Sequence, residues 1–289
     1  MGRKIVIDPI TRIEGHLKVE VVVDGGEVKE ARCSGMLFRG FEKILEGRDP
    51  RDAQIITQRI CGVCNHCHST AAALCLDAAF GIADKVPDNG RLIRNLTLGF
   101  HQVQDHILHF YHLAALDYVD VTKVAGYDGS DRALRSIKAF ISRGPLSPFV
   151  PRYEGDYRFP AEVDQELVAH YVKALEVRRK GHEAVAILGG KVPHACTITP
   201  GGATEIPTVD KIATLLWRAK ELLEFVEDYY LPDVIKVAET YGDYFEIGRG
   251  CGRYLSYGEF DMVGDDPDYS RRERLFRQGS TSTELKHEP

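Results

Sequence analysis

The chain has 289 residues, 44% hydrophobic and 28% charged, enough for one large domain or two smaller ones. Its net charge of −6 and pI near 6.0, with basic residues spread among acids, offer no nucleic-acid or anionic-membrane surface. No apolar run approaches the roughly 18 residues of a membrane span, and "MGRKIVIDPITRIEGH" has no apolar h-region, so no secretory signal peptide is read there.

In chain order, "HLKVEVVVDGGEVKEARC" (16–33) reads as a β-hairpin. Leu17, Val19, Val21 and Val23 alternate with other residues, and Asp24-Gly25-Gly26 supplies the turn. Residues 4–7 offer a further strand. The pattern then becomes helical: 49–60, with an Asp49 cap and Pro50 in the first turn; a small-residue stretch, 69–82; a long stretch, 90–119; and 162–188, where Val163, Leu167, Tyr171 and Leu175 keep helical spacing. Proline- and glycine-rich loops fall at 142–160 and 189–207, and a helical stretch over 208–244 is interrupted at Pro232. The expectation is an α+β chain, mostly α: a β unit over 1–48, a bundle of long helices over 49–260, and a polar tail over 261–289.

Four of the seven cysteines lie between Cys61 and Cys75, in "QRICGVCNHCHS" and just beyond. Clustering in a long chain favours metal or redox chemistry over a disulfide framework. If 61–68 sits at a loop-to-helix junction, Cys61, Cys64 and His68 fall within roughly 60° on one helical face, while Cys67 lies about 120° from Cys61. A helix N-terminus would also favour thiolates. Spacing alone leaves zinc, iron–sulfur and dithiol readings open.

The surroundings narrow the choice. "DPITRIEGHLKVEV" (8–21), "RGFEKILEGRDPRDAQIITQRICGVCNHCH" (39–68), "RNLTLGF" with "QVQDHILHFYHLAALDYVD" (94–120) and "GGKVPH" (189–194) occur in that order. Together they resemble the large, catalytic subunit of nickel–iron hydrogenases, over the chain to about residue 260. The resemblance implies a role for each matching position. Cys61 matches a terminal nickel ligand and Cys64 the thiolate bridging nickel and iron. His68 matches a histidine that hydrogen-bonds the bridging sulfur. Glu14 matches the glutamate carrying protons from a terminal thiolate, and Glu42 a magnesium ligand. Asp105 matches an outer carboxylate above the metal pair, while Arg59 and His194 lie toward the partner's nearest iron–sulfur cluster. The implied cofactors are a nickel–iron centre with cyanide and carbon monoxide on iron, magnesium, and iron–sulfur clusters in a small partner subunit. Soft thiolates suit nickel in this role; a terminal thiolate can act as base, and a carboxylate buried beside it, its pKa raised, can relay the proton reversibly.

The chain departs from that pattern at one point: the family carries a second Cys-x-x-Cys pair near its C-terminus, and here Cys196 and Cys251 are isolated. The expectation is a partial large subunit supplying half of the nickel ligands and needing the remaining part of the subunit to complete the centre. Cys67 is expected to be a packed or partly exposed thiol, Cys33, Cys75, Cys196 and Cys251 structural, and His101, His109 and His112 core or interface histidines. The competing functions are a zinc or iron–sulfur binding module using Cys61, Cys64 and Cys67, and a thiol oxidoreductase using Cys61 and Cys64. Compartment stays open, leaning to the periplasmic side, because exported members of the family ride on the partner's export signal.

Overall fold

A computed structural model describes residues 2–144, 155–248, 250–264 and 266–282. Three antiparallel strands, β1 (Arg3–Ile7), β2 (Leu17–Asp24) and β3 (Glu27–Gly35), form a sheet in the order β1-β2-β3, with Val21 opposite both Ile5 and Ala31. Gly25 and Gly26 take positive φ (63° and 82°) in the hairpin turn, a conformation nearly free for glycine.

A short helix α1 (Phe41–Leu45) follows, and then the 49–60 segment, which is broken rather than continuous. Asp49 accepts from the Arg51 amide at 2.9 Å and starts a 3₁₀ turn, α2 spans Ala53–Thr57, and a second 3₁₀ turn ends at Ile60. The next helix, α3 (Asn65–Ala79), begins four residues before the expected 69. The long stretch from 90 divides into α4 (Asp88–Ile107), a π-helical turn over Leu108–Ala114 and a 3₁₀ turn over Ala115–Asp117. Next comes α5 (Arg132–Ile141), absent from the sequence reading although Asp131 caps it by accepting from the Leu134 amide at 2.9 Å. α6 (Ala161–Gly189) agrees within a residue at each end, and the small hairpin β4 (Ile198–Thr199) and β5 (Gly202–Ala203) follows.

The expected interruption at Pro232 takes a milder form. α7 (Val209–Phe225) passes through a π-helical turn, Val226–Tyr230, into α8 (Leu231–Thr240). Proline lacks the N–H for an i−4 bond, and a widened turn just before it accommodates the loss without breaking the axis. Among the described residues no helix is long and apolar enough to cross a membrane.

Two apolar clusters hold the bundle. In the first, Ile93, Phe100 and Ile107 of α4 meet Ala174, Val177, Ala184 and Leu188 of α6 and Leu215, Leu222 and Phe225 of α7. Heptad spacing in α4 puts its three on one stripe, and each large apolar side chain buried contributes about 1.5–3 kcal/mol. α4 and α6 approach closely because α6 presents Gly181 there: a Cβ at that position would sit 2.7 Å from Gln104 Cβ. The second cluster joins Val121, Val124, Leu134, Leu167, Val168, Val237 and Tyr241.

The segment read as a polar tail folds back on the bundle. β7 (Glu259–Asp261) pairs with β8 (Arg274–Phe276), and β6 (Arg253–Ser256) with β9 (Gly279–Ser282); residues 283–289 lie outside the described residues. Asp261 accepts from Arg272 Nη1 at 2.8 Å and Arg274 Nε at 2.6 Å, all three side chains being buried. Tyr269 Oη donates to Asp77 on α3 at 3.0 Å, so the tail is tied to the same helix that begins at the cysteine cluster.

Candidate metal centre

Cys61 and Cys64 converge, but not as a helical face. Cys61 is extended (φ −138°, ψ 139°) just after the 3₁₀ turn, and only Cys64 belongs to α3, as its N-cap. The loop instead curls so that the Val63 and Cys64 amides donate to Cys61 Sγ at 3.3 and 3.0 Å. The Cys64 thiol is pushed up to about 12 by burial and then by a hydrogen bond with the Cys61 side chain. Burial and a second sulfur thus outweigh the helix N-terminus expected to favour thiolates. A bound metal reverses that balance, since a coordinating thiol is deprotonated.

Glu14 reaches the pair from 47 residues away: Cys61 Sγ donates to Glu14 Oε1 at 3.5 Å. The β1–β2 loop that carries it is anchored by Arg12, which donates to the Leu113 carbonyl at 3.0 Å and pairs with Asp117, both beyond α4. The burial expected for this carboxylate is not present: Glu14 is exposed and lines an open cleft of about 530 Å³ with His16, Arg39 and Glu42. Glu42 is also exposed and, among the described residues, has no ion-pair partner. Arg39 donates to the Ile60 carbonyl and Arg48 to the Ile44 carbonyl instead.

Asp105 projects from α4 toward the thiols. Burial raises its pKa, opposed by His106, His109 and Arg178 and aided by Glu14, and among the described residues its buried Oδ1 has no hydrogen-bond partner. Cys67, half-buried on α3, has Asp105, Glu259 and Cys61 as charged or titratable neighbours. Burial pushes its thiol up to about 11, helped by Glu259, Asp105 and Cys61. Glu259 in turn accepts from Tyr257 Oη at 2.5 Å and from Gln102.

His68 is half-buried, with its pKa lowered by burial, and its contact with Cys64 is through the backbone, His68 N to Cys64 O at 3.4 Å. Among the described residues no imidazole–sulfur hydrogen bond joins them. His194 sits behind the cysteine loop. Burial, then the exposed Arg59, lowers its pKa, while the backbone carbonyls of Cys61 and Gln58 work the other way. Of the histidines around α4, His109 is exposed, His112 packs edge-on to Tyr171 at 4.7 Å, and His101 stacks on His66 at 4.5 Å and 17°. Among the described residues no group of three or more His, Cys, Asp or Glu side chains is arranged to hold a metal ion.

Two sulfurs lie side by side, one of them accepts two backbone N–H bonds that suit a thiolate, and the carboxylates of Glu14, Asp105 and Glu259 stand nearby. These residues fit half of a nickel–iron centre. Sequence reasoning missed Asn65, the His66–His101 stack and Glu259; nothing in their spacing points to them, because three separate elements bring them together.

Comparison with known proteins agrees. The model of the family described as "Nickel-dependent hydrogenase" matches residues 39–287, and one described as "HoxL-like" matches 4–34. The chain belongs to the nickel-dependent hydrogenase family. It is 46% identical over 276 residues to the periplasmic [NiFeSe] hydrogenase large subunit of Desulfomicrobium baculatum, covering 92% of this chain and 48% of that one. It is 37% identical over 290 residues to the hydrogenase-2 large chain of Escherichia coli K12, covering 90% and 51%. Among solved structures, the reduced Ni-Fe-Se hydrogenase of D. vulgaris Hildenborough superposes with a TM-score of 0.82 at 46% identity, covering 99% of this chain and 53% of that one. The chain spans about half the length of the curated relatives it matches.

Proposed function

We propose that this chain forms part of the catalytic subunit of a nickel–iron hydrogenase that reversibly cleaves dihydrogen into protons and electrons. The observation that carries this is the contact between Cys61 Sγ and Glu14 Oε1, beside a second thiol, Cys64, whose amide donates to the same sulfur. Cys61 would hold nickel terminally and Cys64 would bridge nickel and iron. Two sulfurs do not complete a nickel site, so the remaining donors come from polypeptide outside these 289 residues, on the same chain or another. Heterolysis of dihydrogen and storage of its electrons are the chemistry such a centre, with cyanide and carbon monoxide on iron, supplies when bound.

The chain's own residues handle the proton. The Cys61 sulfur takes it as base, and Glu14 receives it along the 3.5 Å contact and releases it into the cleft. Asp105, held toward its protonated form by burial, stands near the site as an outer carboxylate. Glu42, lining the same cleft with no ion-pair partner among the described residues, would bind magnesium through oxygen. Arg59 and His194 mark the side toward a small iron–sulfur subunit, and His68 supports Cys64.

The test uses the natively assembled complex. Nickel, with iron in excess of it because the partner's clusters add their own, and infrared bands from diatomic iron ligands are expected; zinc alone would end this reading. Glu14→Gln should retain the metals and cluster reduction while losing exchange between dihydrogen and solvent deuterons by at least ~100-fold. Unchanged exchange would remove Glu14 as the proton carrier.

A further inference from the structure

The cysteine loop is held by a residue to which the reaction gives no part. Asn65, the first residue of α3, is 1% exposed, and its amide is fully engaged. Nδ2 donates to the Gly62 carbonyl at 2.9 Å and the Val63 carbonyl at 3.3 Å, both between the two thiols. Oδ1 accepts from the His194 amide at 3.0 Å, 129 residues away, and lies 2.6 Å from His66 Nδ1. Backbone carbonyls only accept and a backbone amide only donates, so three of the four partners fix which end of the side chain is oxygen. His66 Nδ1 must then carry the proton. Its Nε2 is left as a lone pair, without a partner among the described residues, on the ring stacked against His101.

The His194 end is strained. Its φ is +67°, a region that disfavours side chains other than glycine and persists only where the surroundings impose it. The Asn65 oxygen is such a restraint, because it binds the amide of that residue. One amide therefore spans the turn between the thiols, the loop after α6 and the buried histidine stack.

We infer that Asn65 is a positioning residue for the thiol pair, clamping the Cys61–Cys64 loop against the His194 loop so that both sulfurs are in register before any metal arrives. The inference rests on the reading of Cys61 and Cys64 as metal ligands, but the clamp is a property of the metal-free chain. Its two sides separate by chemistry. Asn65→Asp keeps the acceptor toward His194 and replaces the donor toward Gly62 and Val63 with a second acceptor. Asn65→Ala removes both.

Amide hydrogen exchange on the full metal-free chain tests this, read at Val63 and Cys64, whose N–H groups point at Cys61 Sγ, and at His194. In Asn65→Asp, exchange at Val63 and Cys64 should speed up about 10-fold or more while His194 stays within ~3-fold of native; in Asn65→Ala all three should speed up. Bridging of Cys61 to Cys64 by dibromobimane, with the other five cysteines changed to serine, should fall about 5-fold or more in either variant, on the same scale of one or two lost hydrogen bonds. A role in general stability alone would raise exchange equally through α3, α4 and α6 and leave bridging unchanged, which overturns the inference. Native-like exchange at Val63 and Cys64 overturns it too. If neither variant folds, imidazole ¹⁵N NMR of the native chain decides: His66 protonated at Nδ1 supports the clamp, and at Nε2 refutes it. Because no metal is present, failure here leaves the hydrogenase reading standing, and failure of that reading leaves the clamp measurable.

Discussion

The two ends of α3 are built on opposite rules. At its C-terminal end Asp77 is fully buried and every neighbour answers it: Arg94 Nη1 at 2.6 Å, the Gly201 amide at 2.6 Å and Tyr269 Oη at 3.0 Å. Arg94 in turn donates to the Gly202 carbonyl at 2.9 Å. At the N-terminal end two thiols lie side by side, Glu14 and Glu42 face an open cleft, and among the described residues Asp105 Oδ1, His66 Nε2, His101 Nε2 and His194 Nε2 lack partners. A closed set of charges joins α3, α4, the β4–β5 hairpin and the tail into one body. An open set leaves polar atoms and sulfur available, which suits a centre whose other half comes from elsewhere.

The largest expected effect separates the two ends by stability. Asp77→Ala strands the Arg94 guanidinium in a dry interior and should cost about 3–5 kcal/mol of unfolding free energy in urea titrations of the metal-free chain. Cys61→Ser should change the same quantity by less than about 1 kcal/mol, since it exchanges one small polar side chain for another at a loop, yet abolish nickel loading of the assembled complex. If Cys61→Ser proves as destabilising as Asp77→Ala, the thiol end is structural and the contrast is wrong.

Much of this was legible in the sequence, unevenly. The hairpin, α6 and the α+β, mostly α, class follow from alternation, turn glycines and helical spacing, all local signals. The split of 49–60 and the π turns after α4 and before α8 were not legible, because local hydrogen bonding and packing set them rather than apolar period. At the site, motif likeness named Cys61, Cys64, Glu14 and Asp105, and the structure gathers all four. The helical-wheel argument for grouping Cys61 with His68 fails because Cys61 precedes the helix, and Cys67, set aside on the same wheel, faces Asp105 and Glu259. Asn65 gave no signal: three of its partners lie within three residues of it, and the fourth, the His194 amide, arrives only when that loop closes on the cysteine loop.

A middle-sized effect should appear with pH. Burial lowers both His101 and His112 to about 4 in the folded chain, against about 6.5 unfolded. Above pH 6.5 both rings are neutral in either state. Below it the unfolded chain takes up the protons first, so stability should fall by about 1.4 kcal/mol per pH unit for each ring down to about pH 4. Asp105, raised by burial, works in the opposite sense and offsets part of that slope. Urea midpoints at pH 7.5, 6 and 5 measure it, and His101→Phe, which keeps a ring on His66, should remove about one ring's share. Midpoints flat across that range would mean that the histidines of the open end reach water.

The smallest expected effect falls on Cys67, where the open end is most ambiguous. Its thiol is near Cys61 and two carboxylates, so it is well placed to be a third ligand. Yet it projects from the helix one turn beyond Cys64, outside the loop whose amides hold the Cys61 sulfur, and among the described residues no hydrogen bond orients it toward the pair. Cys67→Ser should therefore change stability by less than about 1 kcal/mol and leave nickel content of the assembled complex within ~20% of native, while Cys64→Ser eliminates nickel. Equal loss of metal in both variants would make the site a trio of thiols. The zinc or iron–sulfur module would then fit the open end of α3 better than half of a nickel–iron centre.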